Sequence, residues 1–166
     1  NRSMAWTECF GEVGARPRPS PERPEDAETV QPAMMLISNV RVDGKPIGSL
    51  PDGEMYFHHD TIFNSRPNRG TMLYAIDIPS TGGNTRFNNL YKAYDALPQR
   101  IKTRVSGRKA HHVYDYVVYN SREGIGENAT TVDSHSHPVT ITHPESGRKA
   151  LYVDRLMTMR LSLIHI

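Results

Sequence analysis

Apolar residues in this chain fall into short runs punctuated by Gly, Pro, Asn and Asp. The run "MMLISNVRV" (34–42) predicts a strand, closed by the turn signal Asp43-Gly44. A Gly/Pro loop, "GKPIGSLPDG", leads into "EMYFHHD"; "TMLYAID" (71–77), a "PSTGG" turn and "NTRFN" (84–88) follow. The period changes at Asn89, a candidate N-cap. Leu90, Tyr94, Leu97, Ile101 and Val105 then recur along one helical face. Pro98 interrupts that face, so two short helices or a kink are expected, with Gly107 ending the second. Beyond it, "KAHHVYDYVVY" reads as a strand and "NSREGIGENATTVDS" as a polar loop. A hairpin is expected from "HPVTIT", the turn "HPESG" and "RKALYVD". Many strands with one helical insert over 89–107 predict a mainly β domain of sandwich or barrel type.

Composition narrows this picture. Five of the 12 prolines fall within 17–32 among Glu, Arg and Ser, a mixture that predicts an extended loop or lid. The 166 residues, 37% hydrophobic, suffice for one domain with a core. A formal charge of +2 without a Lys/Arg block gives no footing for nucleic acid or an anionic membrane surface. Cys9 is the single cysteine, which suits a reducing compartment. No apolar run approaches the roughly 18 residues a membrane span requires, and no signal-peptide pattern opens the sequence. The expectation is a soluble, cytoplasmic protein. Both ends read as cut. The first residues look like helix or loop leading to "CFGEVG". The last six, "LSLIHI" (161–166), match the in-frame translation of a common transposon-end adapter and are expected to be a non-native tail, so His165 is set aside as a ligand.

The candidate chemistry lies in "FHHDTIF" (57–63). A lone His-x-Asp is a weak signal, since chance yields roughly 0.4 such pairs at this His and Asp content. In an extended segment, however, His58 and Asp60 face one way and His59 the other. An imidazole and a carboxylate on one face are two-thirds of the 2-His-1-carboxylate triad of non-haem iron oxygenases.

Three blocks carry a resemblance: "FHHDTIF", then "GTMLYAIDIPSTGGNTRFNNLYKAYDALP", then "SHPVTITHPESGRKALYVD". Together they resemble the taurine dioxygenase family of Fe(II)/2-oxoglutarate oxygenases over most of residues 50–155. The resemblance implies a double-stranded β-helix (jelly roll, cupin-like) carrying the helical insert, with the domain over 1–160 partial and its C-terminal strands missing. It implies Fe(II) bound by His58 and Asp60. Thr85 would donate its hydroxyl to 2-oxoglutarate, and Phe63 would line the substrate pocket. A small organic acid or sulfonate-like substrate would be hydroxylated with O₂, releasing succinate and CO₂. Taurine-specific members carry an Asn where this chain has Glu54, a charge ill suited to a sulfonate. The family's second metal His and its carboxylate-pairing Arg come from a later segment than this chain contains, so the chain as given is expected not to be a competent enzyme. At full length a homo-oligomer is compatible with the resemblance.

Blander readings stand beside these. A jelly roll that binds ligands without iron would keep the fold and lose the chemistry. His135 and His137, "HSH", share a strand face and suit zinc, although the block match makes His137 a strand residue. His111 and His112 are expected to divide between core and solvent. His143-Pro144-Glu145 reads as a hairpin turn. Thr85 without the preceding "STGG" would be an ordinary strand threonine.

Overall fold

Local turn chemistry sets the first hairpin. Asp43 and Gly44 both take positive φ, 51° and 77°, as a two-residue connection between antiparallel strands requires. They fold β1 (Arg41–Val42) back on β2 (Lys45–Pro46). The strand expected over 34–42 is therefore mostly absent: 34–40 joins no ladder. Alternating apolar residues favour an extended backbone, but a strand exists only where a partner completes its hydrogen bonds. The same holds for 71–77 and 84–88, which run without a ladder among the described residues.

The computed structural model describes residues 2–14, 33–48, 56–114 and 133–162. The expected 17–32 lid, Glu54 and residues 163–166 lie outside them. The chain divides into two units, residues 1–55 with 72–76 and residues 56–71 with 77–166. The first holds α1 (Arg2–Glu8), which answers the opening helix expectation, and the β1–β2 hairpin. Within it the Thr7 hydroxyl donates to the Ser3 carbonyl at 2.8 Å.

The second unit contains the segment with His58 and Asp60. Asn89 caps α2 (Leu90–Asp95), its Oδ1 accepting the Lys92 N–H at 3.0 Å. Pro98 starts α3 (Gln99–Val105), and Gly107, at φ 69°, turns the chain out of it. The two-helix expectation thus holds. Next come β3 (Lys109–Val113), β4 (Ser134–Pro138), β5 (Thr140–Thr142), β6 (Lys149–Leu151) and β7 (Thr158–Leu161). β3 is the centre of an antiparallel sheet ordered β4-β3-β7, with a register shift between His111 and His112 opposite β7. β5 and β6 form the expected hairpin, its turn ending at Gly147, φ 66°. Leu161 pairs with Ala110, and the Ser162 N–H donates to the Lys109 carbonyl at 2.8 Å. Leu161 of "LSLIHI" is thus part of the sheet, and Ser162 is hydrogen-bonded to β3.

Ile62, Phe63 and Met157 form the centre of the core, with Tyr114, Tyr152 and Leu156 packed against them. The architecture is mainly strands with few helices, as expected. No helix among the described residues is long and apolar enough to cross a membrane.

Candidate metal centre

The segment 57–63 changes character halfway. His58 and Asp60 are exposed residues, whereas Thr61, Ile62 and Phe63 are buried. Residues 60–63 form a turn, with Thr61 at φ 56°. That conformation is costly for a β-branched side chain. Two contacts offset the strain. Ile62 and Phe63 drop into the core, and the Thr61 hydroxyl accepts the Asn68 N–H at 2.8 Å.

The turn brings the expected pair together: His58 Nε2 lies 3.2 Å from Asp60 Oδ1. On the far side of the ring, His58 Nδ1 is 2.8 Å from the Tyr56 carbonyl, so Nδ1 carries a proton and donates it there. The Thr71 hydroxyl donates to the other carboxylate oxygen, Asp60 Oδ2, at 2.5 Å. The Asp60 carboxylate, helped by the Tyr56 carbonyl, holds the His58 imidazole above its ordinary pKa against the opposing effect of burial. The His58 hydrogen bond, and then that of Thr71, hold the Asp60 carboxyl below its own.

These two donors fit a divalent metal ion. With Nδ1–H committed to a backbone carbonyl, Nε2 is the nitrogen left for a ligand, the arrangement that carbonyl partners impose on metal-binding histidines. A bare Nε2 facing a carboxylate oxygen is favourable only with a cation between them, whether a proton or a metal. Adjacent ligands at about 2.1 Å and a right angle stand about 3.0 Å apart, close to the spacing seen. No group of three or more His, Cys, Asp or Glu side chains suited to a metal assembles among the described residues.

His59 does point away from the pair, and what it meets was not foreseen. Its backbone N–H and its Nδ1 both reach Asp154 Oδ2, at 3.2 and 3.3 Å. Asp154 Oδ1 accepts the Met157 N–H at 2.6 Å. Burial works to raise the Asp154 pKa, but the hydrogen bonds from His59 and Met157 leave it lowered. The only sequence signal for Asp154 was an acidic residue closing the block "ALYVD".

The other candidates fare differently. Phe63, expected beside substrate, is 4% exposed and packs on Tyr114 with ring centroids 4.7 Å apart. Thr85 lies in the exposed run 82–89, and no hydrogen bond joins it to His58 or Asp60. The rings of His135 and His137 lie 4.8 Å apart, tilted against each other, but His137 Nε2 is 2.8 Å from the Asn64 carbonyl, to which it donates. The "HSH" pair is therefore a strand feature without the further ligands zinc requires among the described residues. His112 is fully buried and His111 half-buried, as their alternation implies. His143 Nδ1 accepts the backbone N–H groups of Glu145 and Ser146, and so belongs to the turn.

Residues 3–163 match the model of the family described as "Taurine catabolism dioxygenase TauD, TfdA family". The chain belongs to that family. Among its curated relatives, an (S)-phenoxypropionate/alpha-ketoglutarate-dioxygenase of Sphingobium herbicidovorans is 32% identical over 142 residues, covering 74% of this chain and 48% of the relative. An alpha-ketoglutarate-dependent 2,4-dichlorophenoxyacetate dioxygenase of a Burkholderia species is 32% identical over 127 residues, 70% of this chain and 42% of the relative. Pentalenolactone F synthase of Streptomyces arenae is 27% identical over 172 aligned positions, 95% of this chain and 56% of the relative. The chain spans about half the length of these TauD/TfdA-family relatives.

Proposed function

We propose that this chain carries the first two iron ligands of a 2-oxoglutarate-dependent dioxygenase, built on a double-stranded β-helix. The observation that carries this reading is the His58 Nε2 to Asp60 Oδ1 contact at 3.2 Å, with each group oriented from behind by Tyr56 or Thr71. His58 and Asp60 would hold Fe(II), which when bound supplies the O₂-dependent decarboxylation of 2-oxoglutarate to succinate and CO₂ that drives hydroxylation of a substrate C–H bond. The protein's own part is to fix those two ligands. The Tyr56 carbonyl selects the His58 tautomer, and the Thr71 hydroxyl holds Oδ2 so that Oδ1 turns toward the ring. Thr85, in the exposed run that follows Gly82 and Gly83, would donate its hydroxyl to the cosubstrate carboxylate. Phe63 anchors the turn that carries Asp60 by packing into the core.

The prime substrate we infer is a small organic acid or a sulfonate-like compound. Two relatives are named for phenoxypropionate and 2,4-dichlorophenoxyacetate, and a third for a sulfonate. Among the described residues no third ligand joins the pair, and two protein ligands alone do not make a working oxygenase. The chain alone is therefore expected to release no succinate above background when given Fe(II), 2-oxoglutarate and O₂.

The reading is tested by metal titration. Wild-type protein should take up Mn(II), an Fe(II) surrogate, and both His58→Ala and Asp60→Ala should weaken binding at least tenfold, while His137→Ala should not. Binding that survives both substitutions would refute it, and a chain indifferent to Mn(II) would leave the non-catalytic jelly-roll module.

A further inference from the structure

The half-buried pair formed by His59 and Asp154 has no part in the chemistry above, yet it sits directly behind it. The Asp154 side chain is only 4% exposed. A carboxylate so enclosed is tolerated only where hydrogen bonds replace its water. Three do so: from the His59 N–H, from His59 Nδ1–H and from the Met157 N–H. With its Nδ1 proton given to Asp154, His59 presents Nε2 as a bare acceptor. That atom is buried without a partner among the described residues. A solvated histidine would not accept that arrangement without compensation. Here the compensation is the double contact to Asp154 and the Tyr152 ring, set edge-on at 4.8 Å.

The contact falls at an informative place. The N–H that Asp154 accepts belongs to the peptide joining residue 58 to residue 59, midway between the two ligands. Tyr56 and Thr71 orient the His58 ring and the Asp60 carboxylate, but they do not fix the spacing of the two α-carbons. That spacing depends on the backbone at 59, which Asp154 ties to the sheet. The tie continues inward. The Asp154 N–H donates to Thr158 Oγ1 at 3.0 Å, and Thr158 Oγ1 lies 3.1 Å from His112 Nδ1 on the central strand β3.

We propose that His59 and Asp154 are positioning residues: their half-buried hydrogen-bonded pair, mounted on β3 through Thr158 and His112, holds the backbone between the two metal ligands so that Nε2 and Oδ1 converge. The proposal rests on the reading of His58 and Asp60 as ligands, and its test keeps the two apart. Mn(II) is titrated into the full chain and followed by loss of the free-ion EPR signal, with a thermal melt run on each variant. Losing a partner behind a metal ligand characteristically weakens affinity about 10- to 100-fold. His59→Ala and Asp154→Asn should therefore raise the Mn(II) Kd by roughly tenfold or more. His59→Asn, whose amide can still donate to Asp154, should stay within about threefold of wild type. A role confined to folding would lower the melting temperature in His59→Ala but leave the Kd of the folded protein unchanged. Wild-type Kd in folded His59→Ala, with His58→Ala having lost binding, overturns the proposal. His59→Ala retains the backbone N–H of residue 59 and removes the side-chain half of the pair, which decides the matter if Asp154→Asn does not fold. Should His58→Ala itself bind as wild type, the ligand assignment fails and the positioning role falls with it.

Discussion

His112 stands at the centre of β3 with no exposed surface, and its Nε2 lacks a partner among the described residues. Burial, with smaller contributions from neighbouring histidines, pushes its pKa down to about 4 from an ordinary 6.5. Between those values the unfolded chain binds a proton that the native one refuses, so acid favours unfolding. The stability concerned is fully present above pH 6.5 and is lost as pH falls toward 4, up to about 3 kcal/mol. Urea midpoints measured from pH 7 to pH 4.5 should fall steeply in wild type and less in His112→Phe. At this scale the sequence was legible where chemistry is local: His58 and Asp60 are two residues apart, and alternation predicts that they face together. The His59 contact with Asp154 spans 95 residues. No spacing rule reaches that far, so the sequence shows only that His59 faces away from the pair.

Among the elements, those governed by their own residues could be read directly. Asn89, Pro98 and Gly107 each act within one turn of where they stand, and α2 and α3 begin and end where those residues dictate. Asn89→Ala should remove the Lys92 N–H acceptor and cost about 1 kcal/mol, read as a lower urea midpoint with an unchanged denaturant slope. Asp43-Gly44 and Gly147 likewise mark real turns. The strand expected over 34–42 survives only at Arg41–Val42, and the apolar run 71–77 joins no ladder among the described residues. A hydrophobic run specifies a face but not the strand that will lie beside it, and the ladder is made by that second, remote segment.

Across the whole molecule, apolar burial is uneven. Leu73, Tyr74, Ile76 and Ile78 are 71–83% exposed, and Phe87 reaches 87%. Extended backbone with unpaired N–H and C=O groups beside apolar side chains is a template for pairing with another chain. The 166-residue protein should therefore self-associate, with light scattering that rises with concentration. The double substitution Ile76→Lys, Ile78→Lys should suppress that rise. Scattering that stays flat in wild type would show that the exposed run is harmless. Family membership was legible because three motif blocks recur together. The exposure of this run was not, since an apolar segment reads the same whether or not something covers it.

One peptide bond separates Thr61 from the fully buried Ile62, and Asp60 is the residue before it. The amides of Ile62 and Asn64 close that turn onto the His59 and Thr61 carbonyls. A ligand on a free loop could fray by itself. Asp60 cannot swing far without drawing Ile62 and Phe63 out of their packing. Local breathing of the metal pair thus draws on the same free energy that holds the unit's core together, and the most solvent-facing chemistry in the chain shares the slow opening of its interior.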